Sequence, residues 1–100
     1  MKASLNKVFR QSDDVVARAI EGEIILVPLA SGMGDLEDEL YTLNQSGAAV
    51  WKLLDGNRTL KAVAATLSKR YQAKPGAIEK DVATLAGELL KRKMLVEAAR

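Results

Sequence analysis

The chain has 100 residues and a mass of 10.8 kDa, which is enough for one small domain with one modest core. Hydrophobic residues make up 48% of it and charged residues 28%, a balance typical of soluble globular proteins rather than disordered ones. With no histidine and no cysteine, the chain cannot form the usual zinc sites, a Ser-His-Asp triad, a disulfide or an Fe–S cluster. Most small-enzyme chemistry is therefore excluded.

Charge is divided unevenly along the chain. Residues 1–50 contain four basic and eight acidic side chains, whereas residues 51–100 contain eleven basic and five acidic ones. A solvated, lysine-rich helical surface accounts for the basic half more simply than a nucleic-acid footprint does. The longest aliphatic run, 24–27, is too short to span a membrane, and residues 1–14 lack the apolar stretch of a secretory signal. We therefore expect a cytoplasmic protein that has no membrane partner.

The first 30 residues predict an arm followed by a β-hairpin. Residues 1–14 show no sustained periodicity and end in polar residues, which favours an N-terminal arm leading into the domain. Strand-like residues lie on both sides of Glu21-Gly22-Glu23, where the glycine suits a tight turn. Pro28 cannot donate to a β-ladder, so the second strand is expected to end near Leu29.

The segment after the hairpin is acidic and rich in glycine. Its carboxylates match no EF-hand spacing, so we interpret them as an exposed loop rather than a metal site. Gly32-Met33-Gly34 is followed by no phosphate-binding motif and is interpreted as a turn. The sequence thus predicts no metal and no cofactor. The acidic residues of this loop are Asp35, Glu37, Asp38 and Glu39.

Strand signals return at residues 40–43, and a helix follows them. Asn44 is a favourable N-cap for a helix over about residues 45–54, and Gly56 can adopt the left-handed conformation that ends a helix. Trp51 lies on the apolar face of this helix. We therefore expect it to pack in the core rather than to stack on a ligand.

Two more helices complete the pattern. Thr59 caps the second, and Pro75 fits the first turn of the third. Three strands followed by three helices predict an α+β fold that is winged helix-turn-helix-like, with a three-stranded antiparallel sheet whose third strand lies at an edge. The stripe expected to be buried on the second helix consists of Leu60, Val63, Ala64, Leu67 and Tyr71.

The segment from Leu40 to Thr59 resembles a motif of the PqqD-like family. That motif reads Y-x-L-N-x-x-G-x-x-[IV]-W-x-L-L-D-G-x-[RT]-T, and this chain matches it throughout. The hairpin before the motif, and Asp81-Val82 and Glu88-Leu89-Leu90 after it, also fall where the family has them. The resemblance covers about residues 9–97.

The resemblance implies a non-enzymatic peptide-binding module or chaperone, of the kind that recognises ribosomally synthesised and later modified peptides. Such a module binds the leader of a precursor peptide as an added strand and presents it to a modifying enzyme, of the radical-SAM type or another. The peptide-binding domain would span residues 15–97. Pyrroloquinoline quinone synthesis and other modified peptides both remain open as the pathway. The implied peptide-binding residues are Glu39, Leu40, Tyr41, Thr42 and Leu43 on the third strand, and Asp81, Thr84, Leu85 and Glu88 on the third helix.

An edge strand supports this interpretation on physical grounds, because its unpaired N–H and C=O groups must be protected or used. The same edge allows a homodimer. The alternative hypothesis is a winged-helix nucleic-acid-binding protein, supported by the basic C-terminal half, since a fold alone does not decide a function. An enzymatic function has only the acidic cluster to support it.

Overall fold

Two three-stranded antiparallel sheets and three helices build the part of the chain that the computed structural model describes, residues 3–29 and 40–98. The α+β class, the three-stranded sheet and the three helices were all predicted and are confirmed. In chain order the elements are β1 (Val8–Gln11), β2 (Val15–Ile20), β3 (Glu23–Pro28), β4 (Tyr41–Leu43), α1 (Gln45–Leu53), β5 (Asp55–Thr59), α2 (Leu60–Tyr71), α3 (Pro75–Lys91) and β6 (Leu95–Glu97).

The predicted hairpin is formed by β2 and β3. Ile20 pairs with Glu23 across a two-residue turn, in which Glu21 has φ 51° and Gly22 has φ 85°. Two positive φ values are characteristic of the type I′ turn, whose twist matches that of the flanking strands. The glycine therefore has the role that the sequence predicted.

The sheet that contains this hairpin has the strand order β2-β3-β4. Among the strands that the structure describes, β4 lies at the edge of this sheet, as predicted. One face of β3 carries the buried side chains of Ile24 and Leu26, which join the core, while Ile25 and Val27 on the other face are only half-buried. This period-2 alternation places one face of the sheet against the helices.

The helices supply most of the remaining core. Trp51 is 3% exposed and belongs to the core cluster, so the structural role predicted for it is confirmed. Four of the five residues in the stripe predicted on α2 are buried, but Tyr71 is 50% exposed. The prediction for Tyr71 is wrong because α2 ends at this residue, where a tyrosine can leave its hydroxyl in water.

The sequence did not predict the second sheet, whose strand order is β5-β1-β6. The expectation of an arm over residues 1–14 is wrong for residues 8–11, because they form the central strand β1 and bury Phe9 in the core. The chain before β1 is also bonded to the domain. The Ala3 N–H donates to the Ala83 carbonyl at 3.0 Å, and the Lys61 N–H donates to the Leu5 carbonyl at 3.0 Å.

Gly56 has a different role from the one expected. Its φ is 83°, as the left-handed prediction requires, but α1 ends before it and Gly56 lies within β5. The register between β1 and β5 shifts between Val8 and Arg10, which marks a bulge on β5. The N-caps are as predicted: the Asn44 and Thr59 side chains accept hydrogen bonds from backbone N–H groups in the first turns of α1 and α2.

None of the helices in the described residues has the length and apolar character that a membrane crossing requires.

Candidate functional site

An open groove runs between the edge strand β4 and helix α3. A first depression in it has a volume of about 570 Å³ and is lined on the strand side by Tyr41, Thr42 and Leu43, and on the helix side by Asp81 and Leu85. A second depression adjoins it along α3. Tyr41, Asp81 and Leu85 line both, so the two depressions form one continuous groove, and the second adds Lys80, Thr84 and Glu88.

The alternation of hydrogen-bonded and non-hydrogen-bonded pairs along the sheet decides which backbone N–H and C=O groups of β4 are unpaired. In an antiparallel ladder, pairs that exchange hydrogen bonds alternate with pairs that do not. The Leu29 N–H donates to the Asp14 carbonyl at 2.8 Å. Asp14 and Leu29 are the next pair after Val15 and Pro28 in the β2–β3 register, so this next pair is a hydrogen-bonded one. Every second pair from Asp14–Leu29 along the ladder is also hydrogen-bonded. Ile25 and Val27 therefore direct their backbone groups to β2, whereas Ile24 and Leu26 direct theirs to β4.

Thr42 therefore offers its backbone to the open side of the sheet. Ile24 and Leu26 face Leu43 and Tyr41, so the backbone groups of these two β4 residues are used within the sheet. Thr42 lies between them and points its N–H and C=O the other way. Pro28, the next β3 residue on this side, has no N–H, which limits how far the β3–β4 ladder can continue.

The helix side of the groove is one stripe of α3. Asp81, Leu85 and Glu88 are spaced i, i+4 and i+7, which places them on the same face of a helix. Leu85 is half-buried against the core, whereas Asp81 and Thr84 are exposed. The Thr84 hydroxyl donates to the Lys80 carbonyl at 2.8 Å and so belongs to the surface of α3.

Tyr41 is held by contacts from α3 and the residue after it. The Cζ atom of Arg92 lies 4.7 Å from the centroid of the Tyr41 ring, a distance typical of a cation–π contact. The Arg92 Nε in turn donates to Glu88 Oε1 at 3.0 Å. Together these contacts fix an aromatic wall at one end of the groove.

The start of α1 forms the other end of the groove. The Asn44 Oδ1 accepts a hydrogen bond from the Gly47 N–H at 2.9 Å and thereby sets the angle at which α1 leaves β4. A Cβ atom on Gly47 would lie 3.3 Å from the Cβ of Leu43, so glycine allows the close approach here. Val50, one turn further, is buried and lines the groove from below.

Charges line the rim of the groove. Glu23 and Asp81 border the first depression, and Lys80 borders the adjoining one. In the part of the chain that the structure describes, none of these three side chains forms a salt bridge. They are therefore available to a charged ligand, whereas the Glu88 carboxylate is already paired with Arg92.

The structure brings together most of the residues that the resemblance implied. Seven of the nine line the groove. Leu40 is exposed immediately before β4, and Glu39 lies outside the described residues, as does the acidic segment 35–39. The spacing of Asn44 and Gly47 directly after the strand is the sequence feature from which the α1 end of the groove could have been predicted. Groove residues that the sequence analysis missed are Glu23, Asn44, Ser46, Gly47, Val50 and Lys80.

The groove shows the features of a binding site. Residues 3–29 and 40–98 hold no group of three His, Cys, Asp or Glu side chains that would bind a metal ion. What the groove offers is an unpaired strand edge, an apolar floor and charged side chains at its rim. This arrangement suits an extended peptide.

Comparison with protein families and solved structures places these features in context. The model of the family described as coenzyme PQQ synthesis protein D (PqqD) matches residues 23–95. A comparison with curated proteins gives no match.

Solved structures share the fold. The PqqD truncation of Methylobacterium extorquens PqqCD, a stand-alone recognition element for ribosomally synthesised and post-translationally modified peptides, is 27% identical, with a TM-score of 0.74 and 94% of each chain covered. TbiB1 in complex with the TbiA(beta) leader peptide is 21% identical, with a TM-score of 0.75, 91% of this chain and 99% of that chain covered. Lasso peptide synthetase B1 complexed with the leader peptide is 22% identical, with a TM-score of 0.72, 88% of this chain and 96% of that chain covered.

Proposed function

Because the chain belongs to the coenzyme PQQ synthesis protein D family, we propose that it is a peptide-binding module for the leader of a ribosomally made precursor peptide. The observation that carries this proposal is the unpaired backbone of Thr42 beside a groove with an apolar floor. Two of the solved structures that share the fold are complexes with leader peptides.

The leader binds by strand addition to β4. Its backbone exchanges hydrogen bonds with the N–H and C=O of Thr42, and alternate side chains point into the groove towards α3. An apolar leader side chain packs against Leu85 and Val50, and polar or charged neighbours meet the rim. The strand and helix residues expected from the family resemblance thus act from opposite sides of the same peptide.

The module acts by presentation rather than by catalysis. It holds the leader while a separate enzyme modifies the rest of the precursor, and that enzyme is of the radical-SAM type or another peptide-modifying class. The Methylobacterium relative, itself a stand-alone recognition element, supports this non-catalytic role. In this proposal the protein works in the cytoplasm, where precursor peptides are made.

Nucleic-acid binding, the alternative from the sequence, is the weaker interpretation. Some basic residues of the C-terminal half are exposed on α2, at Lys61, Lys69 and Arg70, and none of these three lines the groove. The structural neighbours bind leader peptides or recognise modified peptides.

A pair of proline substitutions tests strand addition directly. Thr42→Pro removes an N–H that the fold does not use, so we expect a folded protein with leader affinity reduced at least about tenfold, equivalent to about 1.4 kcal/mol. Tyr41→Pro removes an N–H bonded to β3 and leaves its acceptor unpaired, so it is expected to destabilise the domain by about 1–3 kcal/mol. Thr42→Ala is the matched control and keeps full affinity.

The measurement is calorimetric titration with the synthetic leader peptide that the parent protein binds most tightly in a panel of leader peptides, together with thermal unfolding followed by circular dichroism. Full leader affinity in Thr42→Pro would exclude strand addition at β4. Labelled duplex DNA serves as a second probe, because a phosphate reader binds it with an affinity that falls steeply with salt. Salt-sensitive DNA binding without leader binding would support the nucleic-acid alternative.

A further inference from the structure

Among the described strands, the edge of the sheet opposite to β4 also has no pairing partner. β2 is six residues long, pairs only with β3 among the described strands, and is exposed from Val16 to Ile20. Val16 is 37% exposed and Ile20 53%. A long edge strand with exposed apolar side chains promotes pairing with another chain unless something prevents it.

The alternation of hydrogen-bonded pairs in the β2–β3 ladder identifies the backbone groups that β2 directs to its open edge. The hydrogen-bonded pair of Asp14 with Leu29 means that Val16, Arg18 and Ile20 direct their backbone groups to β3. Val15, Ala17 and Ala19 therefore direct theirs to the open edge. A second strand must form its hydrogen bonds with these three residues.

One antiparallel register makes β2 complementary to itself. If Val16 lies on a two-fold axis, Val15 and Ala17 exchange hydrogen bonds with Ala17 and Val15 of the second copy. Arg18 then lies directly opposite Asp14 of the second copy, and the symmetry produces this charge pair twice. With Arg18 on the axis, two guanidinium groups would face each other, and like charges directly opposite are destabilising.

The charged groups in this register are available. Within residues 3–29 and 40–98, neither Asp14 nor Arg18 takes part in a salt bridge, and both are exposed. The formal net charge of the chain is only +2, so the overall repulsion between two copies is small.

We propose that two copies of this chain associate through antiparallel pairing of β2, with Val16 on the two-fold axis and reciprocal Arg18–Asp14 pairs. The result is a continuous six-stranded sheet whose two outer strands are the β4 strands, about 24 Å apart at the usual strand spacing. Dimerisation leaves both leader edges open, so it is independent of peptide binding. Because a single strand pair buries less than a standard-size interface, the dimer is a weak one.

Charge reversal tests the register. Sedimentation velocity of the full chain without peptide, at protein concentrations from about 10 µM to 1 mM, should show a concentration-dependent dimer. Arg18→Asp alone and Asp14→Arg alone should each weaken dimerisation at least about tenfold, because each places like charges opposite one another. The double variant restores both pairs with reversed signs and should recover the dimer.

A backbone variant and a control complete the test. Ala17→Pro removes an N–H directed to the open edge, so it should abolish the dimer while the melting temperature stays close to that of the parent. Thr42→Pro, at the opposite edge, should dimerise normally. A protein that stays monomeric at every concentration would show that the β2 edge does not pair with a second copy, and a dimer insensitive to both reversals would place the interface elsewhere. Either result overturns the proposal, whether or not leader binding is observed.

Discussion

Trp51 illustrates how one residue joins helix α1 to strand β1. Its indole is buried on the face of α1 that joins the core. Its backbone carbonyl accepts a hydrogen bond from Gln11 Nε2 on β1 at 2.8 Å. The residue therefore joins α1 to β1 through both packing and hydrogen bonding, and the groove depends on it only indirectly.

Trp51→Ala is expected to lower the free energy of unfolding by about 3–5 kcal/mol, since a large buried ring leaves a cavity that a small core can only partly close. The measurement is urea unfolding followed by circular dichroism. Lys52→Ala, at the exposed neighbouring position, is the control and should cost less than about 1 kcal/mol. If Trp51→Ala unfolds like the parent but loses leader binding, the ring contacts the ligand and the core assignment is wrong.

At the scale of whole elements, β1 decides whether the N-terminal segment belongs to the fold. It is the central strand of its sheet, and both of its partners come from much later in the chain, β5 and β6. The Lys7 carbonyl also accepts a hydrogen bond from the Leu60 N–H at 3.1 Å, at the start of α2. The segment thus holds together elements that are distant in sequence.

Phe9→Ala should therefore cost about 3–5 kcal/mol of stability, which is the cost of removing a buried aromatic ring and not that of a change in a loose arm. Thermal and urea unfolding measure it. Asn6→Ala, at an exposed position of the same segment, is the matched control and should lie within about 0.5 kcal/mol of the parent. Equal stability of the two variants would mean that β1 is dispensable.

At the scale of the whole molecule, charge is segregated along the chain, and the acidic part directly precedes the groove strand. Residues 35–39 carry four carboxylates, and Glu23 and Asp81 add negative charge at the rim of the groove. A concentrated field of one sign raises the association rate of an oppositely charged ligand more than it lowers the dissociation rate. The segment is therefore expected to steer a basic leader towards β4.

Changing Asp35, Glu37, Asp38 and Glu39 to their amides should slow the association of a lysine-containing leader at low salt about tenfold, with little change in dissociation rate or melting temperature. Stopped-flow fluorescence over a salt series measures both rates. A control variant with the same change in net charge neutralises four exposed carboxylates elsewhere and should change the association rate less. These carboxylates are Asp13, Glu21, Asp55 and Glu97.

The sequence alone determined the features that depend on neighbours in the chain. The turn at Gly22, the caps Asn44 and Thr59 and the apolar face of α1 follow from residues within one or two turns of each other, so local periodicity and capping chemistry predict them. The family motif also allowed part of the groove to be predicted. Tyr41 lies on the strand that the motif defines, and Leu85 lies on the helix that the apolar periodicity defines.

Only the tertiary structure decided the features that depend on distant pairing. A strand of four residues such as β1 is too short to show a periodicity, and its partners lie more than 40 residues away, so nothing near Val8 or Phe9 predicts it. The outward direction of the Thr42 backbone was also undetermined, since a shift of one residue in register would exchange its role with that of Tyr41. The pairing of β4 with β3 settles this choice. Which residues of β4 bond to β3 depends on which residues of β3 already bond to β2, so the direction of the Thr42 backbone cannot be read from the β4 segment alone.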